Sequence, residues 1–272
     1  MTWEETIIQL QSDPSFSSLV RDTYLLPNLP ANVERFRTSA EWAETLSLLR
    51  RYAPASTTLL DLGAGNGVAS LSLALAGYQV TAAEPDPSHI VGTGAIKQLV
   101  AHYQLPQLTI TEASGEKLPL PMGVFDIVYV RQALHHAADL GMFVKEASRV
   151  LKKGGILLTV RDHVVHNDRD KARFLVRHPL HRYYGGENAF SLPTYQAAFE
   201  IAGLEMLEIL RPSDSVLNYD PWSKEVLKQR LAAVFGRWIV FIPGIVGVGW
   251  RLSLFRKEYI PGRLFSFVLQ KR

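Results

Sequence analysis

Two carboxylates and a run of glycines stand where apolar segments end. Residues 59–70 read LLDLGAGNGVAS, in which Asp61 lies inside an apolar run that stops at Gly63 and Gly65. Glu84 closes a second apolar run, 21 residues after Gly63. Glycine can adopt positive φ and lets a ligand approach the backbone, and a carboxylate at the end of a second strand can accept hydrogen bonds from ribose hydroxyls. The pattern predicts a site for a ligand that contains a nucleoside.

The charge of Asp61 separates the candidate ligands. Dinucleotide sites use G-x-G-x-x-G, which requires a glycine where this chain has Val68, and the lysine of a phosphate-binding P-loop is also missing there. A pyrophosphate is repelled by a nearby aspartate, whereas the sulfonium and ammonium of S-adenosylmethionine are attracted. At about 5 Å and an effective dielectric near 20, this change of sign is of the order of several kcal/mol. The residues disfavour a nicotinamide oxidoreductase and favour S-adenosylmethionine.

Histidines follow two further predicted strands and are candidates for acid–base chemistry. His135 comes after the strand at 125–130, and Asp162 and His163 come after the strand at 155–160. Histidine is the natural general base near neutral pH, so these three residues are the candidate catalytic groups for a hydroxyl or carbon acceptor. The alternative is that they only pack and cap their loops. His136 is expected to turn towards a backbone carbonyl.

Two segments, RDHVVHNDRD and HPLHRYYGGEN, contain several groups that could bind a metal ion. These groups are His163, His166, Asp168, His178, His181 and Glu187. Their spacing fits no strong zinc or transition-metal template, so the sequence assigns no metal site. Aromatic and charged residues at 178–190 instead suit a sugar or another polyhydroxylated acceptor, although the same residues could simply form a packed loop.

The elements that must position these residues alternate along the chain. Apolar runs at 58–62, 78–84, 108–111, 125–130 and 155–160 predict strands, and amphipathic segments between them, one from about Pro87 to Tyr103, predict helices. Such alternation indicates a parallel sheet covered on both faces. Residues 1–56 predict a helical cap, with Thr38 and Glu41 spaced as a capping box. Residues 57–272 predict the main domain, with an insertion at about 212–258 between strands at 204–210 and 263–270.

Four ordered segments carry a resemblance to a known family. They are LLDLGAGNG, VTAAEPD, GEKLPL followed by FDIVYVRQALHH, and SRVLKKGGILLTV, which together span about residues 57–161. This arrangement resembles the class I S-adenosylmethionine-dependent methyltransferases, especially the group that includes quinone-biosynthesis methyltransferases. The resemblance implies an α/β, doubly wound, Rossmann-like sheet of seven mostly parallel strands, with one antiparallel strand in the final hairpin.

The resemblance also implies which residues bind the cofactor. The implied positions are Asp61, Gly63, Ala64, Gly65, Glu84, Pro85, Asp86, Ser114, Gly115, Glu116, Arg131 and Gln132. By this likeness Asp61 orients the ammonium, Glu84 holds the ribose, and the two residues after Glu84 flank the adenine. Many relatives place an aspartate near the adenine amine where this chain has Ser114, so Ser114 and then Glu116 are the expected adenine contacts. The pair after the fourth strand is expected to line the methionine end.

The composition and the start of the sequence limit which partners and which cell compartment are expected. The 272 residues are 47% hydrophobic and carry a net charge of only +3, which gives no reason to expect nucleic-acid binding. The start of the chain has no basic segment followed by an apolar one, so a cytoplasmic protein is expected.

The inserted segment contains an apolar stretch, residues 238–250, that is too short to span a bilayer. Tryptophans at both of its ends and flanking basic residues, which are Lys224, Lys228, Arg230, Arg251, Arg256 and Lys257, suit a membrane interface. A homodimer face or an internal lid would explain the same apolar surface.

The sequence as a whole predicts a methyltransferase that uses S-adenosylmethionine and acts on a small hydroxylated acceptor, such as a glycan precursor or a quinone-like lipid. The alternative is a module with the same fold that binds cofactor or partner without catalysis.

Overall fold

A computed structural model describes residues 1–178, 180–246, 248 and 264–272. Its strands are β1 (Thr58–Leu62), β2 (Gln79–Ala83), β3 (Leu108–Thr111), β4 (Phe125–Arg131), β5 (Leu151–Val165), β6 (Phe190–Ser191), β7 (Leu204–Leu210) and β8 (Leu264–Lys271). Seven of them form a sheet in the order β3-β2-β1-β4-β5-β8-β7, and the two-residue β6 pairs with the end of β5.

The pairing directions confirm the predicted sheet. β1 runs parallel to both β2 and β4, and β4 runs parallel to β5. β8 is antiparallel to both β5 and β7, because the chain returns after β7 and inserts its last strand between them. The predicted seven-stranded, mostly parallel sheet with a final antiparallel strand is therefore correct, and β6 is a small addition.

Helices cover both faces of the sheet, as a doubly wound fold requires. They are α1 (Trp3–Ser12), α2 (Ser17–Asp22), α3 (Leu29–Arg37), α4 (Ala40–Tyr52), α5 (Val68–Leu75), α6 (Thr93–Tyr103), α7 (Leu140–Val150), α8 (Asp168–Arg177), α9 (His181–Tyr184), α10 (Leu192–Ile201) and α11 (Lys224–Phe235). One apolar core joins α3 to α6 with one face of the sheet, and a second joins α7 and α10 with the other face. The carboxyl ends of the parallel strands stay open between these layers.

Two predicted helix starts are wrong. The N-cap of α4 is Ser39, whose hydroxyl accepts a hydrogen bond from the Trp42 N–H at 3.0 Å, and the predicted capping box at Thr38 is absent. Glu41 is instead buried in ion pairs with arginines. Helix α6 begins at Thr93 rather than near Pro87, because the Thr93 N–H donates to the Asp86 carbonyl at 2.7 Å and closes the intervening residues into a turn.

The insertion is helical where the structure describes it. It contains α11 and two short 3₁₀ helices, and its apolar side chains form a cluster of their own around Leu227, Leu231 and Ile239. Within the described residues, no helix combines the length and apolar character needed to cross a membrane. The predicted basic and aromatic positions Trp250, Arg251, Arg256 and Lys257 lie outside the described residues.

Candidate cofactor and acceptor site

A cavity of about 1090 Å³ lies at the carboxyl ends of the parallel strands. In an open α/β sheet this is the edge where ligands bind. Every predicted cofactor position lines the cavity: Asp61, Gly63, Ala64, Gly65, Glu84, Pro85, Asp86, Ser114, Gly115, Glu116, Arg131 and Gln132. His135 and His163 line it as well. The two groups predicted separately, for cofactor and for acceptor, therefore share one space.

The glycine turn after β1 is built for close approach. Gly63 and Gly65 have φ of 76° and 56°, conformations that side chains rarely adopt. A Cβ at Gly63 would come within 2.4 Å of the Ala133 Cβ, whereas a Cβ at Gly65 would meet nothing within 4 Å. The Gly65 N–H donates to Glu84 Oε2 at 2.8 Å, which ties the turn to the end of β2. The turn is thus held open with its backbone facing the cavity.

Two buried carboxylates flank this turn. Asp61 accepts a hydrogen bond from the Ser70 hydroxyl through Oδ2, while its buried Oδ1 has no hydrogen-bond partner among the described residues. Burial raises the pKa of Asp61 to about 6 and that of Glu84 to about 7. A cationic ligand would favour the ionised forms of both groups. The donor set and the open space beside Gly65 therefore fit S-adenosylmethionine and would repel a diphosphate.

The loop after β3 closes another side of the cavity. The Ser114 hydroxyl donates to Glu116 Oε2, and Glu116 Oε1 accepts the Ala138 N–H at 2.9 Å. Gly115 lies against Phe143, and a Cβ at this position would stand 2.1 Å from the ring. The glycine is required here by packing, which leaves the backbone of the loop accessible to a ligand.

Arg131, at the end of β4, is held by the N-terminal helices. Its Nε and Nη2 donate to the two Glu41 carboxylate oxygens at 2.6 and 3.0 Å. The guanidinium also lies over the rings of Tyr24 and Phe36, with centroid distances of 5.4 and 5.1 Å. Arg131 therefore lines the cavity as part of a fixed ion pair, and this partner was not evident from the sequence.

β5 continues past its predicted end and carries the acid–base residues into the site. The strand extends to Val165, with a bulge between Thr159 and Asp162 where Arg161 has a φ of 64°. Asp162 Oδ1 accepts both the backbone N–H and the ring Nδ1–H of His135, each at 3.1 Å. With Nδ1 as donor, the lone pair of His135 is on Nε2.

Burial sets the protonation of this pair. It lowers the pKa of His135 well below its usual value and raises that of Asp162 to about 8. Asp162 is fully buried behind His135 and is not part of the cavity wall. This position suits Asp162 to orient His135 and not to contact a ligand in the cavity.

Glu187 stands at the centre of a histidine cluster, which the sequence did not place there. Its carboxylate oxygens lie 3.8 Å from His135 Nε2, 4.0 Å from His136 Nε2 and 3.8 Å from His178 Nδ1. The ring of His163 packs edge-on against that of His135 at 4.5 Å. Burial alone raises the pKa of Glu187 to about 8.

The sequence singled out His135 and His163 by their positions after strands and Glu187 by the composition of its segment, but it did not bring them together, because they come from separate parts of the chain. His166 and Asp168 are exposed and lie outside it. His136 behaves as predicted, with Nδ1 donating to the Gly186 carbonyl at 3.0 Å.

Comparison with known proteins agrees with this geometry. A family profile described as "Methyltransferase domain" matches residues 60–159. The uncharacterized methyltransferase YcgJ of Bacillus subtilis is 29% identical over 71% of this chain and 76% of its own length. A ubiquinone biosynthesis O-methyltransferase of Caulobacter vibrioides is 34% identical, over 37% of this chain and 38% of its own length. The chain thus spans well under half of that quinone-pathway relative.

Solved structures show the same fold. The geranyl diphosphate C-methyltransferase of Streptomyces coelicolor A3(2) superposes with a TM-score of 0.61, at 15% identity, over 97% of this chain and 84% of its own. Together, the sheet order, the glycine turn and the family match define a class I methyltransferase fold. Residues 60–159 are therefore similar to this methyltransferase family, and the chain is similar in fold to solved methyltransferases.

Proposed function

We propose that the protein transfers a methyl group from S-adenosylmethionine to a hydroxyl of a small acceptor, such as a glycan precursor or a quinone-like lipid. The observation that carries this proposal is the single cavity that joins the glycine turn to the buried His135–Asp162 pair. A hydroxyl acceptor must lose its proton during methyl transfer, and the His135–Asp162 pair can accept that proton.

We assign the cofactor contacts by position in the cavity. Asp61, with its free buried oxygen, suits the ammonium, and the glycine turn suits the chain of the methionine. Glu84 accepts from the Gly65 N–H with one oxygen and from the Asp86 N–H with the other, which fixes the orientation of its carboxylate and supports its proposed contact with the ribose. Ser114 and Glu116 remain the proposed adenine contacts. When bound, the cofactor supplies an electrophilic methyl group, so this site mainly orients and excludes water.

His135 and His163 are the proposed catalytic groups on the acceptor side. Both line the cavity beyond the glycine turn, so the acceptor hydroxyl can reach them. Asp162 fixes the tautomer of His135 and acts as a positioning residue. Loss of Asp162 should therefore change the pH profile of the reaction more than the KM for the acceptor.

The cavity walls support an amphipathic acceptor. Trp3, Phe16, Tyr184 and Trp222 bring apolar rings to the wall, and Arg177 brings a cation. Aromatic faces beside polar groups suit a sugar or a ring-bearing lipid head.

The test combines cofactor binding with turnover. Calorimetry with S-adenosylhomocysteine should show binding, and labelled S-adenosylmethionine should transfer its methyl group to a hydroxylated acceptor in a panel of sugars, nucleotide sugars and phenols. Variant H135Q should abolish transfer and retain cofactor binding, whereas H166Q, at an exposed histidine, should retain both. Methylation only of nitrogen or carbon acceptors would overturn the proposal.

We also propose that the insertion contacts a membrane surface. Val234, Trp238 and Phe241 are 74%, 62% and 83% exposed on one segment, and the basic residue Arg237 directly precedes Trp238 in the chain. Exposed aromatic and basic groups together suit a lipid interface. The protein should cosediment with anionic vesicles, and W238E/F241E should release it. A concentration-dependent dimer that the same changes dissociate would instead identify a homodimer face.

A further inference from the structure

The cluster around Glu187 holds more ligating groups than proton transfer needs. One ligand atom each from His135, His163 and Glu187 lies within 4.8 Å of the others, and all three residues are buried. The separations between Glu187 and its histidine neighbours, 3.8 to 4.0 Å, are too long for hydrogen bonds. The ligand atoms of His135, His163 and Glu187 therefore lie close together, and Glu187 is not hydrogen-bonded to His135.

We propose that His135, His163 and Glu187 bind a divalent transition-metal ion, with Zn²⁺ as the reference ion, beside the cofactor site. Two imidazoles and one carboxylate form the donor set of many open metal sites, in which a fourth position remains for water or substrate. Bonds of about 2.0 to 2.2 Å at a tetrahedral ion place the ligand atoms roughly 3.5 Å apart. The ligands would have to move inward by about 1 Å from the widest separation, which rotation of the Glu187 side chain can supply.

The surroundings of His135 are those of a metal ligand. Its Nδ1–H is held by Asp162 Oδ1 at 3.1 Å, which directs the Nε2 lone pair towards Glu187. A carboxylate behind a ligating imidazole is the usual support in metal sites, because it fixes the ring and its tautomer. His163 contributes a buried Nδ1 that has no hydrogen-bond partner among the described residues. Both features are expected of metal ligands.

This inference deepens the proposed function and rests on it for the nature of the acceptor: as metal ligands, His135 and His163 would act on the acceptor hydroxyl through the ion and not as bases. An ion at the cluster would take the acceptor hydroxyl at its open position and make it more acidic. The O–H bond then breaks, the electron pair stays on the oxygen, and the proton passes to His136. Because His136 donates through Nδ1 to the Gly186 carbonyl, its Nε2 can accept this proton, and its partly exposed ring can pass it to solvent.

The test measures metal binding directly, on the full chain and without cofactor. The protein is stripped with a chelator, dialysed and titrated with ZnCl₂ and with CoCl₂, whose visible absorption reports coordination by nitrogen and oxygen. We expect one tightly bound ion per chain. E187Q should weaken binding by more than D162N, for which a loss of about 10- to 100-fold is expected from an orienting group. The control H166Q should bind as the unchanged protein does.

Folding and function are read out separately. S-adenosylhomocysteine binding and circular dichroism should be unchanged in E187Q, and H163N provides a second ligand variant. Equal zinc binding by the unchanged protein, E187Q and H163N, or no specific binding at all, would overturn the metal site. If zinc binds as expected but no hydroxyl is ever methylated, the metal site stands and the proposed function fails.

Discussion

Neutralising Asp61 is the sharpest test of the cofactor site. Its charge is buried in the cavity wall beside the glycine turn, with one oxygen on the Ser70 hydroxyl and the other without a hydrogen-bond partner among the described residues. A positive group at about 5 Å gains about 3 kcal/mol at an effective dielectric near 20. A lost hydrogen bond to a charged group costs about 1 to 3 kcal/mol. D61N should therefore weaken S-adenosylmethionine binding about 5- to 150-fold at pH 8.

The pH dependence of the D61N effect provides an internal check. The pKa of Asp61 in the free protein is about 6, because burial disfavours the charged form. Asp61 is thus ionised at pH 8 and increasingly protonated below pH 6, so the affinity advantage of the natural residue should shrink there. Calorimetric titrations at several pH values measure both proteins under the same conditions.

Asp126 provides a matched control, because it is an aspartate on a strand of the same sheet but outside the cavity. Asp126 is also at a strand, but it pairs with Lys152 at 2.7 Å and accepts from Thr58, away from the cavity. D126N should lower stability and leave cofactor affinity unchanged. D61N should not lower stability at pH 8, since its buried charge destabilises the free protein there. Equal cofactor affinity in D61N and the natural protein would refute the assignment.

Three further substitutions test residues that form or support the cavity wall. Because burial raises the pKa of Glu84 to about 7, cofactor affinity should fall as pH drops from 8 to 6, and calorimetry of E84Q should show a weaker but flatter profile. E41Q should lower the free energy of unfolding by about 3 to 5 kcal/mol in denaturant titrations, because it leaves Arg131 buried without its carboxylate. G115A should cost about 1 to 3 kcal/mol, since its Cβ would overlap the Phe143 ring, and F143L should restore part of the loss.

A specific result would contradict each of these three predictions. If the cofactor affinity of E84Q depended on pH as steeply as that of the natural protein, the assignment of Glu84 to the ribose would be wrong. Unchanged unfolding of E41Q would mean that the ion pair contributes nothing to stability. A second-site change that fails to relieve G115A would place the cause of the damage outside the ring contact.

The cavity wall around the glycine turn could be predicted from sequence because its determinants are local. The glycine turn, Asp61 and Glu84 sit at fixed distances from the ends of apolar runs, and parallel strands bring their carboxyl ends to one edge. The same local pattern misled at Glu41, where spacing suggested a capping box. The Glu41 carboxylate instead forms an ion pair with Arg131, which is distant in sequence, and a local sequence pattern cannot predict such a contact.

The acceptor side was decided by tertiary structure. His135, His163 and Glu187 lie after β4, within the bulged end of β5 and after α9, and they meet only because the crossovers stack these segments over one strand edge. The extension of β5 past Val160 depends on its pairing with distant strands: β8 pairs with it as far as His163, and β6 pairs with Val164 and Val165. Sequence periodicity reports which face of an element is buried, whereas the meeting of distant polar groups depends on how the elements pack together.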